Sequence, residues 1–173
     1  MITLEWLNKN NVQEMTEIAL DEFKDDMETV GDDRLYYDVL EGKTIENKTD
    51  LNYALIKNGD ESVGVTGYYM DKTDPDAAWL GWFVIKPEYR HLHYGKESID
   101  CLIKYLKEKH PELKYLRTYT DDRNNGAISF YLNYGFIKEQ ATIDIDGEDC
   151  RTVILDYSLK GDPIVEWDNI PIW

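Results

Sequence analysis

The sequence predicts an α/β fold in a single domain, with a central mixed, mostly antiparallel sheet flanked by helices, on three observations. Strand-like segments take turns with segments of helical spacing along the whole chain. The turn Asn58-Gly59-Asp60 separates two strand-like runs, and Asn-Gly accepts the positive φ that a tight hairpin needs. Ala77 to Ile85 is a nearly unbroken apolar run ended by Pro87, the composition of a strand covered on both faces and therefore central.

Taken in order, Thr3 to Leu7 reads as a short strand. Val12, Met15, Ala19 and Phe23 fall on one face of a helix starting near Asn11, and a shorter helix covers Arg34 to Leu40. Asn52 to Lys57 and Val63 to Met70 form the antiparallel pair around the Asn-Gly turn. From Gly95, Ile99, Leu102, Ile103 and Leu106 repeat at helical spacing, and Pro111 stops that helix. Tyr115 to Thr120 returns as a strand. Asn124 to Tyr134 is a helix carrying Ala127, Phe130, Tyr131 and Tyr134, and Gly135 stands where a helix end commonly needs the left-handed conformation. Phe136 to Ile145 and Arg151 to Leu159 close the domain as a hairpin across Asp146-Gly147.

Residues 1–160 therefore make the domain, and 161–173 form an apolar tail. Ile164, Val165, Trp167, Ile170, Ile172 and Trp173 are too apolar to be left in water, so the tail is expected to dock on the domain or at the interface of a homodimer.

Composition narrows the partners. With 35 acidic against 19 basic residues the net charge is -16, which repels nucleic acid and anionic membranes and attracts cations. No apolar run approaches the roughly 18 to 20 residues of a membrane span. Cys101 and Cys150 form no CxxC pair, which favours a reducing compartment, and a cytoplasmic location is the expectation.

The most informative stretch is the crossing from strand to helix, Ile85-Lys86-Pro87-Glu88-Tyr89-Arg90-His91-Leu92-His93-Tyr94-Gly95-Lys96. A buried strand that feeds a long helix leaves the first N–H groups of that helix unpaired, and these donors with the positive end of the helix dipole bind phosphate. Here the sequence resembles the GNAT (general N-acetyltransferase) superfamily. That family's coenzyme signature is Gln or Arg, two residues, Gly, one residue, then Gly or Ala. Arg90 and Gly95 match its ends, and His93 stands where the first glycine belongs. A second block, Asn124-x-x-Ala127-x-x-Phe130-Tyr131-x-x-x-Gly135-Phe136, follows about 30 residues later and resembles the family's next conserved segment.

The resemblance implies acetyl-CoA as acyl donor and a sheet splayed at its central strand. Backbone groups of Phe83 and Ile85 would pair with the pantetheine arm, and an N–H near Val84 would face the oxyanion. The amides of Leu92, His93, Tyr94, Gly95 and Lys96, with Arg90, would hold the pyrophosphate. Asn124 would reach the pantetheine from the far side, and Tyr131 matches the tyrosine that faces the coenzyme sulfur.

An amine attacks a thioester only when neutral, and a lysine-like amine has a free pKa of about 10.4, so a proton must leave. The departing thiolate is helped by an acid, the role given to Tyr131; an ordinary core aromatic is the alternative for that residue. No base is evident. Ala77 to Ile85 holds no ionisable side chain, the proton has a route through water, and Asp121 and Asp122 are the nearest candidates.

His91 and His93 lack a nearby cysteine or carboxylate partner, so no metal site is expected. Trp79 and Trp82 fall on opposite faces of a regular strand, one for the core and one for the acceptor side, with nothing to say which is which. Asp21 to Glu41 holds nine carboxylates against Lys24 and Arg34, either a solvated helix face or an acceptor wall for a cationic amine. The expected activity is direct transfer of the acetyl group to a primary amine on a small molecule or peptide. A non-catalytic acyl-CoA sensor on the same fold is the rival.

Overall fold

The computed structural model describes residues 1–45, 47–144 and 151–167. Eight strands form one sheet: β1 (Ile2–Trp6), β2 (Lys48–Asn58), β3 (Glu61–Asp71), β4 (Asp74–Leu80), β5 (Val84–Ile85), β6 (Tyr115–Asp121), β7 (Ile137–Asp144) and β8 (Arg151–Ser158). The helices are α1 (Val12–Val30), α2 (Leu35–Leu40), α3 (Tyr94–Lys109) and α4 (Asn125–Tyr134). Strand order is β1-β2-β3-β4-β6-β8-β7, with β5 paired to β3. Every described pairing is antiparallel except β4 with β6. The turn Asp146-Gly147, with Ile145, Cys150, Ile170, Ile172 and Trp173, lies outside the described residues.

Alternation along the strands sorts side chains onto two faces. On one, Tyr53, Leu55 and Val65 pack under α1 and α2 against Met15, Met27 and Tyr36. On the other, Tyr68, Ala78, Leu80 and Leu116 meet Ile99, Leu102 and Leu106 of α3 and Tyr131 of α4. The helical spacing read from Gly95 onward thus describes a buried face.

The run from Ala77 to Ile85 is not one strand. Tyr68 pairs with Leu80 and Val65 with Val84, so three residues between these pairs, 81–83, stand against two, 66 and 67. One residue is extra, the definition of a bulge. Trp82 takes φ +32 within it, and Gly81 just before lies close under Tyr53, where a Cβ would meet the ring at 3.1 Å. Apolar composition announced burial, while the extra residue left no mark in the hydrophobic pattern.

The bulge coincides with a parting of the sheet. Parallel pairing between β4 and β6 runs only from Ala77 opposite Tyr115 to Trp79 opposite Arg117. Beyond that point β5 follows β3, whereas β6 follows β8 as far as Asp121 opposite Thr152. The expected splay is present.

Arg117 sits where the strands part and ties four of them together. Its guanidinium donates to Asp74 of β4 at 2.8 Å, Asp156 of β8 at 2.7 Å and Glu139 of β7 at 3.3 Å. All four side chains are buried. The segment after β8 lies across this cluster. Arg117 also donates to the Val165 carbonyl at 3.1 Å, Tyr115 Oη to the Pro163 carbonyl at 2.8 Å, and the Trp167 amide to Glu139 at 2.8 Å. The Trp167 ring packs on Trp79 with centroids 5.1 Å apart.

Burial and the neighbouring Asp156 push the Glu139 carboxyl up from its ordinary value of 4.5 to about 8, against the opposing pull of the Trp167 amide and Arg117. Asp156 and Asp74 are also raised, chiefly by burial. Between these limits the native state holds a proton that the unfolded chain has lost, so the Glu139 contribution falls as pH rises toward 8. We therefore expect Glu139→Gln to flatten the decline in melting temperature between pH 5.5 and 8.5. Parallel curves for variant and wild type, measured by calorimetry, would contradict this.

Candidate active site

The wall of the gap is built from backbone. Lys86 N–H donates to the Val63 carbonyl at 2.9 Å, and Val84 stands opposite Val65. Backbone groups of a strand alternate in direction, so those of Lys86 and Val84 face β3, and those of Phe83 and Ile85 face the gap. The Val84 carbonyl oxygen fills the space a Cβ on Gly64 would take, so β5 can lie this close only because residue 64 is glycine. Of the gap-facing groups, the Ile85 carbonyl accepts Arg90 Nε at 2.9 Å.

A single turn at Pro87–Tyr89 then leads to α3. The intrahelical pattern begins with Glu97 N–H to the His93 carbonyl at 3.1 Å, so the amides of Tyr94, Gly95 and Lys96 precede the first such bond. Leu92, His93 and Lys96 are exposed around them. His93 caps the helix at φ +65, ψ +3, the left-handed conformation that glycine takes without strain. A histidine thus occupies a backbone conformation that glycine adopts freely. We expect His93→Gly to raise stability by about 1 kcal/mol, the lower end of the left-handed penalty. An unchanged or lowered urea midpoint would show that the imidazole makes up for the strain.

Gly95 joins the two sequence blocks. A Cβ there would meet Phe130 at 3.2 Å and Phe83 at 3.6 Å, so the start of α3 closes directly on the bulge and on α4. The Phe83 ring lies 5.8 Å from Phe130 and 6.5 Å from Tyr131. Tyr131 is buried among Phe130 and Phe136, with its hydroxyl near Thr118 of β6, the strand on the other side of the gap. Burial pushes the phenol up to about 12, so it stays protonated at neutral pH. Asn124 caps α4, its Oδ1 accepting from the Ala127 amide at 3.1 Å. Asp121 accepts from the Arg123 guanidinium at 2.6 Å.

The opposite face of the sheet carries the acidic segment. Of its nine carboxylates only Asp32 and Asp38 are half-buried. Asp38 is neutralised by Lys43 at 2.6 Å, and Glu22 pairs with Arg90 at 2.6 Å. Asp32 instead accepts the indole N–H of Trp82 at 3.0 Å. Trp79 is thus the core tryptophan and Trp82, turned by the bulge, meets the acidic segment. The tyrosines collected here, Tyr36, Tyr53, Tyr69 and Tyr119, and the Arg117 cluster gave no signal in the sequence, because their positions lie far apart along the chain.

Helices on both faces of a mixed sheet that parts beside a bulged central strand make this an α/β domain with a split sheet. The chain belongs to the acetyltransferase (GNAT) family, which matches residues 12–136, well over half of the chain. The reaction class is acetyl-CoA-dependent N-acetyl transfer. Solved structures similar to it include RimL, a ribosomal L7/L12 α-N-protein acetyltransferase in complex with coenzyme A, at TM-score 0.70 and 12% identity over 93% of this chain and 96% of that one. A GNAT-family acetyltransferase from Staphylococcus aureus Mu50 gives TM-score 0.66 and 21% identity over 92% and 100%. A spermidine N-acetyltransferase SpeG chimera of Vibrio cholerae and hSSAT gives 0.67 and 13% over 91% and 95%. At these identities the likeness is one of fold. Comparison with curated proteins finds no match.

Proposed function

We propose that the chain moves the acetyl group of acetyl-CoA directly onto a primary amine, with the coenzyme on the α3 and α4 face and the amine arriving from the α1 and α2 face. The observation that carries this reading is the gap itself. One wall presents the backbone of Phe83 and Ile85, one end presents the first turn of α3, and the Tyr131 hydroxyl comes from the other wall. Donors along a strand edge suit the amides of a pantetheine arm, and the amides of Tyr94 to Lys96 suit a pyrophosphate. Arg90, lying between Ile85 and Glu22, is placed to turn toward the same phosphates.

The amine nitrogen forms its bond to the thioester carbonyl carbon, and the C–S bond breaks. The ammonium loses one proton to water before attack, the nitrogen loses a second after it so that the amide forms, and the sulfur gains one through water so that coenzyme A leaves as thiol. The gap-facing amides of Phe83 and Ile85 are the donors for the oxyanion, since that of Val84 is turned to β3. Tyr131, held protonated, donates a hydrogen bond to the departing sulfur. With its pKa about 12, complete transfer to a thiolate near pKa 8.5 is uphill, so water completes that step. Several neighbours by fold are named for amine acceptors of different kinds, spermidine in one and the N-terminus of a ribosomal protein in another. Release of free thiol from acetyl-CoA in the presence of a panel of primary amines, with the acetylated amine identified by mass, tests the reading.

A further inference from the structure

Asp32 is the one carboxylate of the acidic segment that is half-buried and has no cationic side chain paired with it among the described residues. Around it the fold collects hydroxyls. Tyr36 packs edge-on against Tyr53 with centroids 5.2 Å apart, and its own hydroxyl is buried with no hydrogen-bond partner among the described residues. A buried hydroxyl without a partner costs stability, so its retention calls for a ligand or another use. The Tyr53 hydroxyl lies 3.2 Å from the place a Cβ on Gly81 would occupy, against the bulge and the mouth of the gap. Tyr69 and Tyr119 pack with Trp79 on this face, Tyr119 with ring centroids 6.2 Å from it, and the Tyr69 hydroxyl is likewise buried with no hydrogen-bond partner among the described residues.

Burial, with the charge of Asp32 as a lesser contribution, holds all four phenols above their ordinary pKa, Tyr119 at about 12. They stay neutral and present oxygen lone pairs, while the carboxylate supplies charge. A primary ammonium has three N–H donors and a positive charge, which match several oxygens around one carboxylate in an aromatic setting. An anion or a neutral alcohol matches neither the charge nor the excess of acceptors.

We propose that Asp32, Tyr36, Tyr53, Tyr69, Tyr119 and Trp82 form an ammonium-recognition site that receives the acceptor amine as a cation at the mouth of the gap. The proposal rests on the transferase reading for its place in the reaction, but the site itself is a matter of binding and is testable without turnover. An ammonium held there must still lose its proton before attack. That proton leaves to water, the route open in the absence of a base in the strand.

The test is calorimetric titration with 1,4-diaminobutane and its neutral isostere 1,4-butanediol, each with and without coenzyme A. Nα-acetyl-lysine amide serves as a third ligand carrying the same ammonium on a peptide backbone. Binding of either ammonium carrier without binding of the diol supports the site, and whichever carrier binds more tightly separates a small-molecule acceptor from a peptide one. Asp32→Asn, which keeps an oxygen for the Trp82 indole, is expected to weaken ammonium binding at least 10-fold, and Tyr36→Phe about 5-fold. The melting shift given by coenzyme A is expected to remain the same in both variants. Equal affinity for diol and diamine, no ammonium binding at millimolar concentration, or an Asp32→Asn change of less than twofold would each overturn the site. Loss of the coenzyme shift in wild type would instead count against the transferase reading and leave the titration to stand on its own.

Discussion

Arg117→Met is expected to lower the free energy of unfolding by about 3 to 5 kcal/mol, the usual cost of removing one partner from a buried ionic group. Methionine fills a similar volume, so the loss is electrostatic and not a matter of a cavity. Asp74, Asp156 and Glu139 would remain in the interior with no cation, each already raised by burial in wild type. A typical domain has only about 5 to 15 kcal/mol to lose, so the variant approaches the edge of folding. Two further consequences identify the cause. Stability should recover as pH falls toward 5, because protonating the stranded carboxylates removes the penalty. The tail should loosen as well, since Arg117 and Glu139 hold Val165 and Trp167. Urea unfolding at pH 5 and 8 measures the first, and limited proteolysis beyond β8 the second. A loss below 1 kcal/mol at both values would mean that the cluster is balanced without its arginine.

Tyr131→Phe is expected to slow acetyl transfer about 100-fold in single-turnover conditions while leaving the fold intact. The ring stays packed between Phe130 and Phe136, and only the hydroxyl oxygen near Thr118 is lost. The stability change should be about 1 kcal/mol, one hydrogen bond, and the affinity for acetyl-CoA should change little. A single-turnover measurement is needed because slow product release would hide the effect in steady state. An unchanged rate at saturating acceptor would make Tyr131 a packing residue.

How far the sequence was legible depended on the range of the signal. Local signals read well: the Asn58-Gly59 turn, the apolar spacing of Ile99 to Leu106 and Gly135 after α4 each correspond to the element expected, because each rests on neighbours within a few residues. The alternation of elements was enough for the fold class. What stayed hidden depends on register. One extra residue between Gly81 and Val84 turns Trp82 away from the β4 alternation, and no hydrophobic pattern reports a count taken against a partner strand. His93 looked like a departure from the phosphate-loop pattern, yet its backbone adopts the left-handed conformation that glycine favours. The nine carboxylates of the acidic segment were indistinguishable in sequence. Only packing against Trp82 singles out Asp32, and only the sheet brings Tyr53, Tyr69 and Tyr119 within reach of it.

The most direct test of the account is the release of thiol from acetyl-CoA on addition of primary amines, followed beside the melting temperature with coenzyme A alone. A ligand that binds only the native state stabilises it by about 2.7 kcal/mol at a hundredfold excess over its Kd, so the shift should be evident. The account predicts both signals, with one acetylated amine formed for each thiol released and cationic amines the better acceptors. A clear melting shift with no thiol release from any amine would contradict it and leave a protein that binds acetyl-CoA without transferring its acetyl group.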